Sequence, residues 1–389
     1  LTLRDNYTSW LKAGPDVSFV NEKPETIPNI SKPEKYKFTK HMRPLGSLFI
    51  PIPSIPIFAT SFTDALGKNM FVMGGYLIPA DMNKSGIELG YINPMWSLSI
   101  SRNFDFAFRR YQKAWLIDSK NAASLTINNP INFGEYPSSN HLFYAGATIV
   151  NHNVTVGKKT DKETGELIPL DKSSFVDLPV PESGNDGFLT LGYQWLNRRP
   201  HKINNIAPKD GFGISALVDY ANKNLFGDFS FTRFESDMFA NLPVNKDGSL
   251  VAYFRLKSMI VSGKPPAQEY VGLTDDKPIY VQGLAPSRYV PENHNPRGWS
   301  GYRLGDKLLF GTAELRQAAG PISLNLISDF GNAWFSNSEK EKMVVTAGYE
   351  LRFALGPLII AGGDAQEIDG WKNDKKPIRY YRLVLTNPF

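Results

Sequence analysis

The sequence contains no cysteine in its 389 residues. Disulfide frameworks and thiolate metal sites are therefore excluded, and the absence fits a periplasm-crossing protein that has no use for thiols. Long apolar runs are also missing. The longest uncharged stretches, such as residues 48–60, are interrupted by proline and fall short of the roughly 20 residues that a membrane-spanning helix needs. A helical membrane protein is therefore excluded.

Motifs for catalysis and for cofactor binding are equally scarce. No Gly-x-Ser-x-Gly elbow is present, residues 157–160 lack the earlier glycine of a phosphate-binding loop, and the five histidines are scattered without ligand spacing. The net charge of +5 is spread over interspersed acidic and basic residues rather than gathered in a stripe. We expect no enzyme activity, no cofactor, no metal site and no nucleic-acid partner.

Aromatic residues are abundant in a chain that is not hydrophobic overall. They make up 13% of the sequence, with 17 Tyr and 25 Phe, while the mean hydropathy is only -0.28. That combination is expected when apolar and polar residues alternate, as they do in β-strands with one lipid-facing and one water-facing side. The composition therefore favours an all-β protein.

Period-two alternation recurs in segments of about ten residues. In residues 344–353, for example, apolar side chains at the odd positions oppose Thr346, Gly348, Glu350 and Arg352. A soluble β-sandwich alternates too, but here ionisable residues recur on the face opposite the apolar one, which favours a wet interior. Aromatic residues also gather at segment ends, as interfacial girdles require. We therefore predict a transmembrane antiparallel β-barrel rather than a sandwich.

About sixteen strands can be drawn, an even number as bacterial barrels require. If the first strand begins and the last strand ends on the periplasmic side, the two longest gaps between strands, 151–187 and 261–305, are outer loops. We predict a barrel over 35–389 with loop 261–305 folded into the lumen, and a periplasmic lead-in, linker or small plug over 1–34. The start at Leu1 lacks a signal-peptide pattern, which indicates a mature form or a piece of a longer polypeptide. The predicted strands are residues 35–43, 47–59, 69–79, 85–92, 95–110, 114–127, 141–150, 188–195, 211–220, 227–236, 249–260, 306–316, 321–329, 343–354, 356–362 and 376–387.

Motifs in the last quarter of the chain follow a known order. Residues 295–299 read Asn-Pro-Arg-Gly-Trp, 311–316 read Gly-Thr-Ala-Glu-Leu-Arg, and 328–334 read Ser-Asp-Phe-Gly-Asn-Ala-Trp. This order resembles the sixth outer loop and the following strands of the BamA/TamA superfamily of outer membrane assembly and translocation proteins. The family's Arg-Gly-Phe/Tyr motif appears as Arg297-Gly298-Trp299, with tryptophan at the aromatic position. Two upstream runs, 62–67 and 91–96, resemble barrels fused behind a periplasmic β-propeller.

Arg297 and two lumen-side carboxylates form the first candidate site. The alternation places Glu314 and Asp329 inside the barrel, where a guanidinium from the loop would bind one or both of them more strongly than at the surface. Gly298 would let the loop turn tightly beneath Arg297. The alternative is an exposed arginine in a mobile loop with two solvated carboxylates, and the resemblance favours the anchored arrangement.

The terminal strand is the second candidate site. Tyr381, Leu383, Leu385 and Phe389 share one face, and a C-terminal aromatic after such alternation resembles the signal by which barrel proteins are recognised for insertion. Pro388 cannot donate a ladder hydrogen bond, which would weaken pairing between the last and first strands. Alternatively, Pro388 lies beyond the sheet and affects nothing.

Three functions remain open at this point. The resemblance implies a barrel in the outer membrane of a Gram-negative-type bacterium that inserts or translocates proteins or lipids through a labile seam between its first and last strands. Its partners would then be outer membrane lipid, a periplasmic domain or accessory proteins, and unfolded barrel proteins or lipoproteins as clients. The alternatives are a passive diffusion channel and a structural membrane anchor for a periplasmic domain or complex.

Overall fold

The computed structural model divides the chain into two compact units, residues 1–41 and 42–389. Within the first unit the structure describes residues 37–41, which include the 3-10 helix Phe38–Lys40. No helix among the described residues has the length and hydropathy needed to cross a bilayer. In full, the structure describes residues 37–51, 53, 55–79, 82, 85–109, 114–131, 140–160, 163–164, 167–169, 182–197, 210–274, 281–282, 296–338, 341–355, 358–368 and 376–385.

In the described part of the second unit, sixteen long strands pair antiparallel, each with its neighbours in chain order. This arrangement confirms the predicted all-β class and the predicted strand number. The long strands are β1 (Arg43–Ile50), β2 (Ile57–Thr63), β3 (Met70–Tyr76), β4 (Gly86–Asn93), β5 (Trp96–Arg109), β6 (Ala114–Ile131), β7 (Asn140–Thr160), β9 (Gly184–Asn197), β10 (Gly211–Ala221), β11 (Ser230–Pro243), β12 (Leu250–Lys264), β16 (Lys307–Ala319), β17 (Ile322–Trp334), β18 (Val344–Leu355), β19 (Leu358–Glu367) and β20 (Ile378–Leu385).

Four short strands accompany them among the described residues. β8 (Leu167–Pro169) pairs with the end of β7, and β13 (Val271–Thr274) pairs with β15 (Tyr302–Gly305) in a separate two-stranded sheet. β14 (Val281–Gln282) runs parallel to β20. The connection between β12 and β16 thus contains three of these short strands, β13, β14 and β15. The end of the sheet at which this connection lies is called the outer end.

The two faces of the sheet differ sharply in accessibility. In β17 the alternate residues Ser323, Asn325 and Asp329 are buried, whereas Leu324 and Leu326 are exposed. The same alternation in β18 buries polar and charged side chains and exposes Leu351, among others. An exposed apolar face opposite a polar interior is the arrangement of a barrel that stands in hydrocarbon and encloses water.

Within the described residues, the two end strands of the sheet, β1 and β20, are not paired with each other. β1 pairs with β2, and β20 pairs with β19 along its length and with β14 over two residues. Among the strand pairings that the described residues form, none joins β1 to β20. Within this part of the chain, one edge of β1 therefore presents unpaired backbone groups.

Strand bounds differ from the prediction mainly in the first two strands. The sequence predicted strands over 35–43 and 47–59, but β1 and β2 flank a connection at residues 51–56. Three prolines fall within this connection, and proline has no backbone N–H to donate to a ladder. β7 also continues to Thr160, ten residues beyond the predicted end, and β12 continues to Lys264. The outer ends of these strands are largely polar and continue the hydrogen-bonded ladder into water. Apolar residues become sparse there, so hydropathy does not predict the end of the strand.

Candidate functional site

A tight turn holds the Arg297 motif against the barrel wall. The backbone N–H of Trp299 donates to the carbonyl of Pro296 at 3.1 Å, and Gly298 has a φ of +85°. A Cβ atom added to Gly298 would lie 2.2 Å from the carbonyl carbon of Ala365 in β19. Only glycine therefore combines this backbone conformation with this close approach. The turn places the side chain of Arg297 inside the barrel.

Asp329 and Arg297 make the central contact of the site. Oδ2 of Asp329 accepts hydrogen bonds from the backbone N–H of Arg297 at 2.8 Å and from its Nε at 2.7 Å, and Oδ1 accepts one from Nη2 at 2.7 Å. Nη2 also donates to the hydroxyl of Thr312 at 2.7 Å, and this hydroxyl contacts Asp329 in turn. Both charged side chains are buried, so the bidentate contact is protected from solvent.

Two glutamates extend the ion pair across neighbouring strands. Nη1 of Arg297 lies 2.8 Å from Oε1 of Glu314 and 3.5 Å from Oε2 of Glu350. Arg352 joins both carboxylates, with Nη2 at 2.7 Å from Glu314 and Nε at 2.6 Å from Glu350. Arg316 contributes a further contact of 2.7 Å to Glu314 and stacks over the ring of Tyr253. The structure thus brings together Arg297, Asp329 and Glu314, the three charged residues of the first candidate site that the sequence predicted.

The network also reaches the last strand. Nη2 of Arg382 in β20 lies 2.6 Å from Oε1 of Glu350. Arg297, Arg316, Arg352 and Arg382 therefore surround three carboxylates, those of Asp329, Glu314 and Glu350. Buried charges are tolerated only when each has partners, so removing one member leaves others uncompensated.

The start of the same loop is fixed at a second place, which the sequence did not predict. Glu269 contacts Nη1 of Arg233 on β11, and Arg233 also donates from Nε to Asp219 on β10 at 3.0 Å. The neighbouring Gln268 exchanges two hydrogen bonds with the backbone of Glu182, of 2.8 and 2.9 Å. These contacts hold residues 267–269 against the wall formed by β9, β10 and β11.

An apolar cluster lies inside the barrel beneath the loop. Val271 and Leu273 of β13 pack there against lumen-side residues of the wall, and the half-buried Trp299 borders the cluster. Burying such side chains against each other excludes water from this part of the outer mouth. The cluster comprises Phe188, Ala221, Phe229, Phe231, Val261, Val271, Leu273, Leu308, Phe310 and Ala333.

The predicted residues of the terminal strand are only partly described. Tyr381 is 75% exposed, on the face of β20 opposite Arg382. Leu383 and Leu385 belong to β20, but their side chains lie outside the described part, and Pro388 and Phe389 lie outside the described residues altogether. Within the described ranges, no group of three or more His, Asp or Glu side chains is arranged to hold a metal ion.

Six arginine and glutamate residues of these networks have no role predicted from the sequence: Arg233, Glu269, Arg316, Glu350, Arg352 and Arg382. Alternation places Glu350 and Arg352 in the interior without assigning them partners, and it does not single out Arg382 or Arg233. Period-two spacing with apolar neighbours signals only that such residues face the lumen. Which carboxylate each arginine meets depends on strand register, which a single sequence does not determine.

Comparison with known proteins gives matches in structure alone. No protein-family model and no curated protein matches the sequence. Among solved structures, BamA from Haemophilus ducreyi lacking POTRA domains 1–3 aligns with a TM-score of 0.56 at 12% identity, over 86% of this chain and 68% of that one. CdiB from Escherichia coli aligns with a TM-score of 0.54 at 9% identity, over 85% of this chain and 59% of that one. CdiB from Acinetobacter baumannii aligns with a TM-score of 0.50 at 9% identity, over 81% of this chain and 53% of that one.

Identities this low show the fold alone. The matches cover 81–86% of this chain, and this chain spans little more than half the length of the two CdiB chains. They confirm the predicted fold: this chain is similar in fold to the β-barrels of BamA and CdiB.

Proposed function

We propose that this protein is an outer membrane barrel that assists the insertion or translocation of proteins or lipids at the seam between β1 and β20. The observation that carries the proposal is the absence of β1–β20 pairing among the described residues. An unpaired strand edge offers a row of N–H and C=O groups to which another strand can add. An unfolded barrel protein supplies such strands.

The proposed activity needs no reacting group. Backbone hydrogen bonds at the seam would give a client strand its affinity, and the surrounding bilayer would receive the product. We accordingly propose a non-enzymatic mechanism that uses neither nucleotide nor metal. The setting would be the outer membrane of a Gram-negative-type bacterium, with periplasmic domains or accessory proteins delivering clients.

A passive diffusion channel fits the structure less well. The loop between β12 and β16 is fixed to the wall at Glu269 and at Arg297, and it buries an apolar cluster inside the outer mouth. A porin-type channel requires a polar, water-filled lumen along its length. These contacts favour a barrel whose outer end is obstructed when the loop is in place.

Locking the seam tests the proposal directly. Because the chain has no cysteine, a pair of introduced cysteines supplies the only two thiols, and oxidation can link only these two. One cysteine is placed on β1, as Leu45→Cys or Ser47→Cys, and the other on β20, as Tyr381→Cys or Leu383→Cys. The purified variants are placed in phosphatidylethanolamine/phosphatidylglycerol vesicles, and the folding rate of an unfolded eight-stranded barrel protein is measured. We expect oxidation to reduce this rate to that of empty vesicles and reductant to restore it.

A cross-link elsewhere in the wall serves as the control. Leu326 and Tyr349 face each other on β17 and β18, both exposed, so Leu326→Cys combined with Tyr349→Cys joins two strands that are already paired. This disulfide should leave the folding rate unchanged. Equal rates for the oxidised and reduced seam variants, with cross-linking complete, would refute the proposed function.

A further inference from the structure

Glu350 lies between the loop anchor and the last strand. Its Oε1 accepts a hydrogen bond of 2.6 Å from Nη2 of Arg382 on β20, and its Oε2 lies 3.5 Å from Nη1 of Arg297 in the loop. One carboxylate on β18 therefore faces both the loop and the strand that borders the seam. β19 lies between β18 and β20 in the sheet, so this contact crosses one intervening strand.

The burial of Glu350 makes these contacts interdependent. Its side chain is 0% exposed, so its charge is compensated by arginines rather than by bulk water. Arg352 supplies a further contact of 2.6 Å from β18 itself. If Arg297 or Arg382 moved away, the remaining arginines would have to shift toward the carboxylate, because a buried charge without partners is costly.

We propose that Glu350 and Arg382 are positioning residues that tie β20 to the Arg297 anchor, so that displacement of the loop alters the seam strand. This inference deepens the proposed function and rests on it for its consequence, since a mobile β20 matters only if the seam receives clients. The mechanical link itself can be measured independently of any client.

Arg379 provides a matched comparison on the same strand. It is also an arginine of β20, but its side chain is 70% exposed and it pairs with Asp364 on the opposite face, with Nε at 3.0 Å from Oδ1. Replacing Arg379 by methionine removes the same charge from the same strand without touching Glu350. A purely local effect on β20 would appear in both variants, whereas the link would be lost only with Arg382.

The test is a distance measurement between the loop and the strand. Spin labels are attached at Ser300→Cys beside the anchor and at Tyr381→Cys on β20, and electron–electron double resonance records their distance distribution in lipid vesicles. We expect a narrow distribution in the parent and in Arg379→Met, and a width at least twofold larger in Arg382→Met and Glu350→Gln. Arg382→Lys, which keeps the charge but loses the planar fork, should give an intermediate width.

Coupling is then separated from a general structural effect by combining variants. If Arg382 acts through the carboxylate of Glu350, Glu350→Gln should broaden the distribution little further in an Arg382→Met background, and fully in an Arg379→Met background. A narrow distribution in Arg382→Met, or equal effects of the two β20 arginines, would overturn the link. Heat-modifiable gel mobility shows whether Arg382→Met folds. If it does not fold, Arg382→Lys takes its place, and a distance distribution as narrow as that of the parent would overturn the link.

The two proposals can fail separately. A loop–strand link without any effect of a locked seam on client folding would remove the proposed function and leave the contact as a structural brace. A seam that must open for client folding, in a barrel whose loop and strand move independently, would remove the link alone.

Discussion

Asp329 accepts three hydrogen bonds from Arg297, one from its backbone and two from its guanidinium, all between 2.7 and 2.8 Å. The involvement of the backbone N–H is informative, because it fixes the position of the loop itself as well as the orientation of the side chain. Asp329 is 1% exposed, so the contact is shielded from counter-ions.

Replacing Asp329 by asparagine should therefore release the loop. The amide keeps the shape of the carboxylate but loses its charge, and we expect the free energy of unfolding to fall by about 3 kcal/mol, as for other broken buried ion pairs. Urea unfolding in vesicles, followed by tryptophan fluorescence, measures this. The control is Asp364→Asn, which breaks an Asp–Arg pair on the exposed face and should change stability far less. Equal losses in the two variants would contradict a special role for the Arg297 contact.

Gly298→Ala should displace the turn through a steric clash. The added Cβ would lie 2.2 Å from the backbone of Ala365, and the positive φ adds strain of about 1 kcal/mol. Gly320→Ala isolates the second effect, because Gly320 also has a positive φ, of +58°, but a Cβ added there would meet no atom within 4 Å. We expect Gly298→Ala to expose the loop to limited proteolysis while Gly320→Ala stays resistant. Similar cleavage rates would mean that β19 does not hold the turn.

The sequence predicts those parts of the structure that depend on local pattern. Alternation within 344–353 and the run around Asp329 identified strands and their lumen faces, because burial on one side imposes a two-residue period. Arg297 could be matched with Glu314 and Asp329 because motif order supplied the missing long-range information. The fold class and the strand number followed from the alternation, without the motif order.

Other contacts could not be predicted because register decides them. Glu350 meets Arg382 across an intervening strand, and Glu269 meets Arg233 from a loop that has no periodicity. No local sequence pattern predicts either of these two contacts. The misplacement of β1 has a different cause: the proline-rich connection at 51–56 is as apolar as a strand, and hydropathy alone does not distinguish the two.

Arg233→Met should open the outer mouth by freeing the start of the loop. Arg233 is the guanidinium partner of Glu269, and its loss leaves that carboxylate beside Asp219 without compensation. We expect a several-fold rise in single-channel conductance in planar bilayers. Arg255→Met is the matched control, since Arg255 pairs with Asp237 between two wall strands, β12 and β11. An unchanged conductance in Arg233→Met would show that this contact does not keep the loop in the mouth.

The lipid-facing surface gives a prediction that tests the barrel itself. Leu191 is 67% exposed near the middle of β9, where hydrocarbon is expected, so Leu191→Arg should lower the free energy of unfolding by about 2–4 kcal/mol in vesicles. Leu225 is exposed to 47% in the outer turn 223–226, where water is expected, so Leu225→Arg should have little effect. The depth of the substituted residue is the only intended difference between these variants. If both tolerate arginine equally, the exposed apolar face of β9 does not stand in lipid.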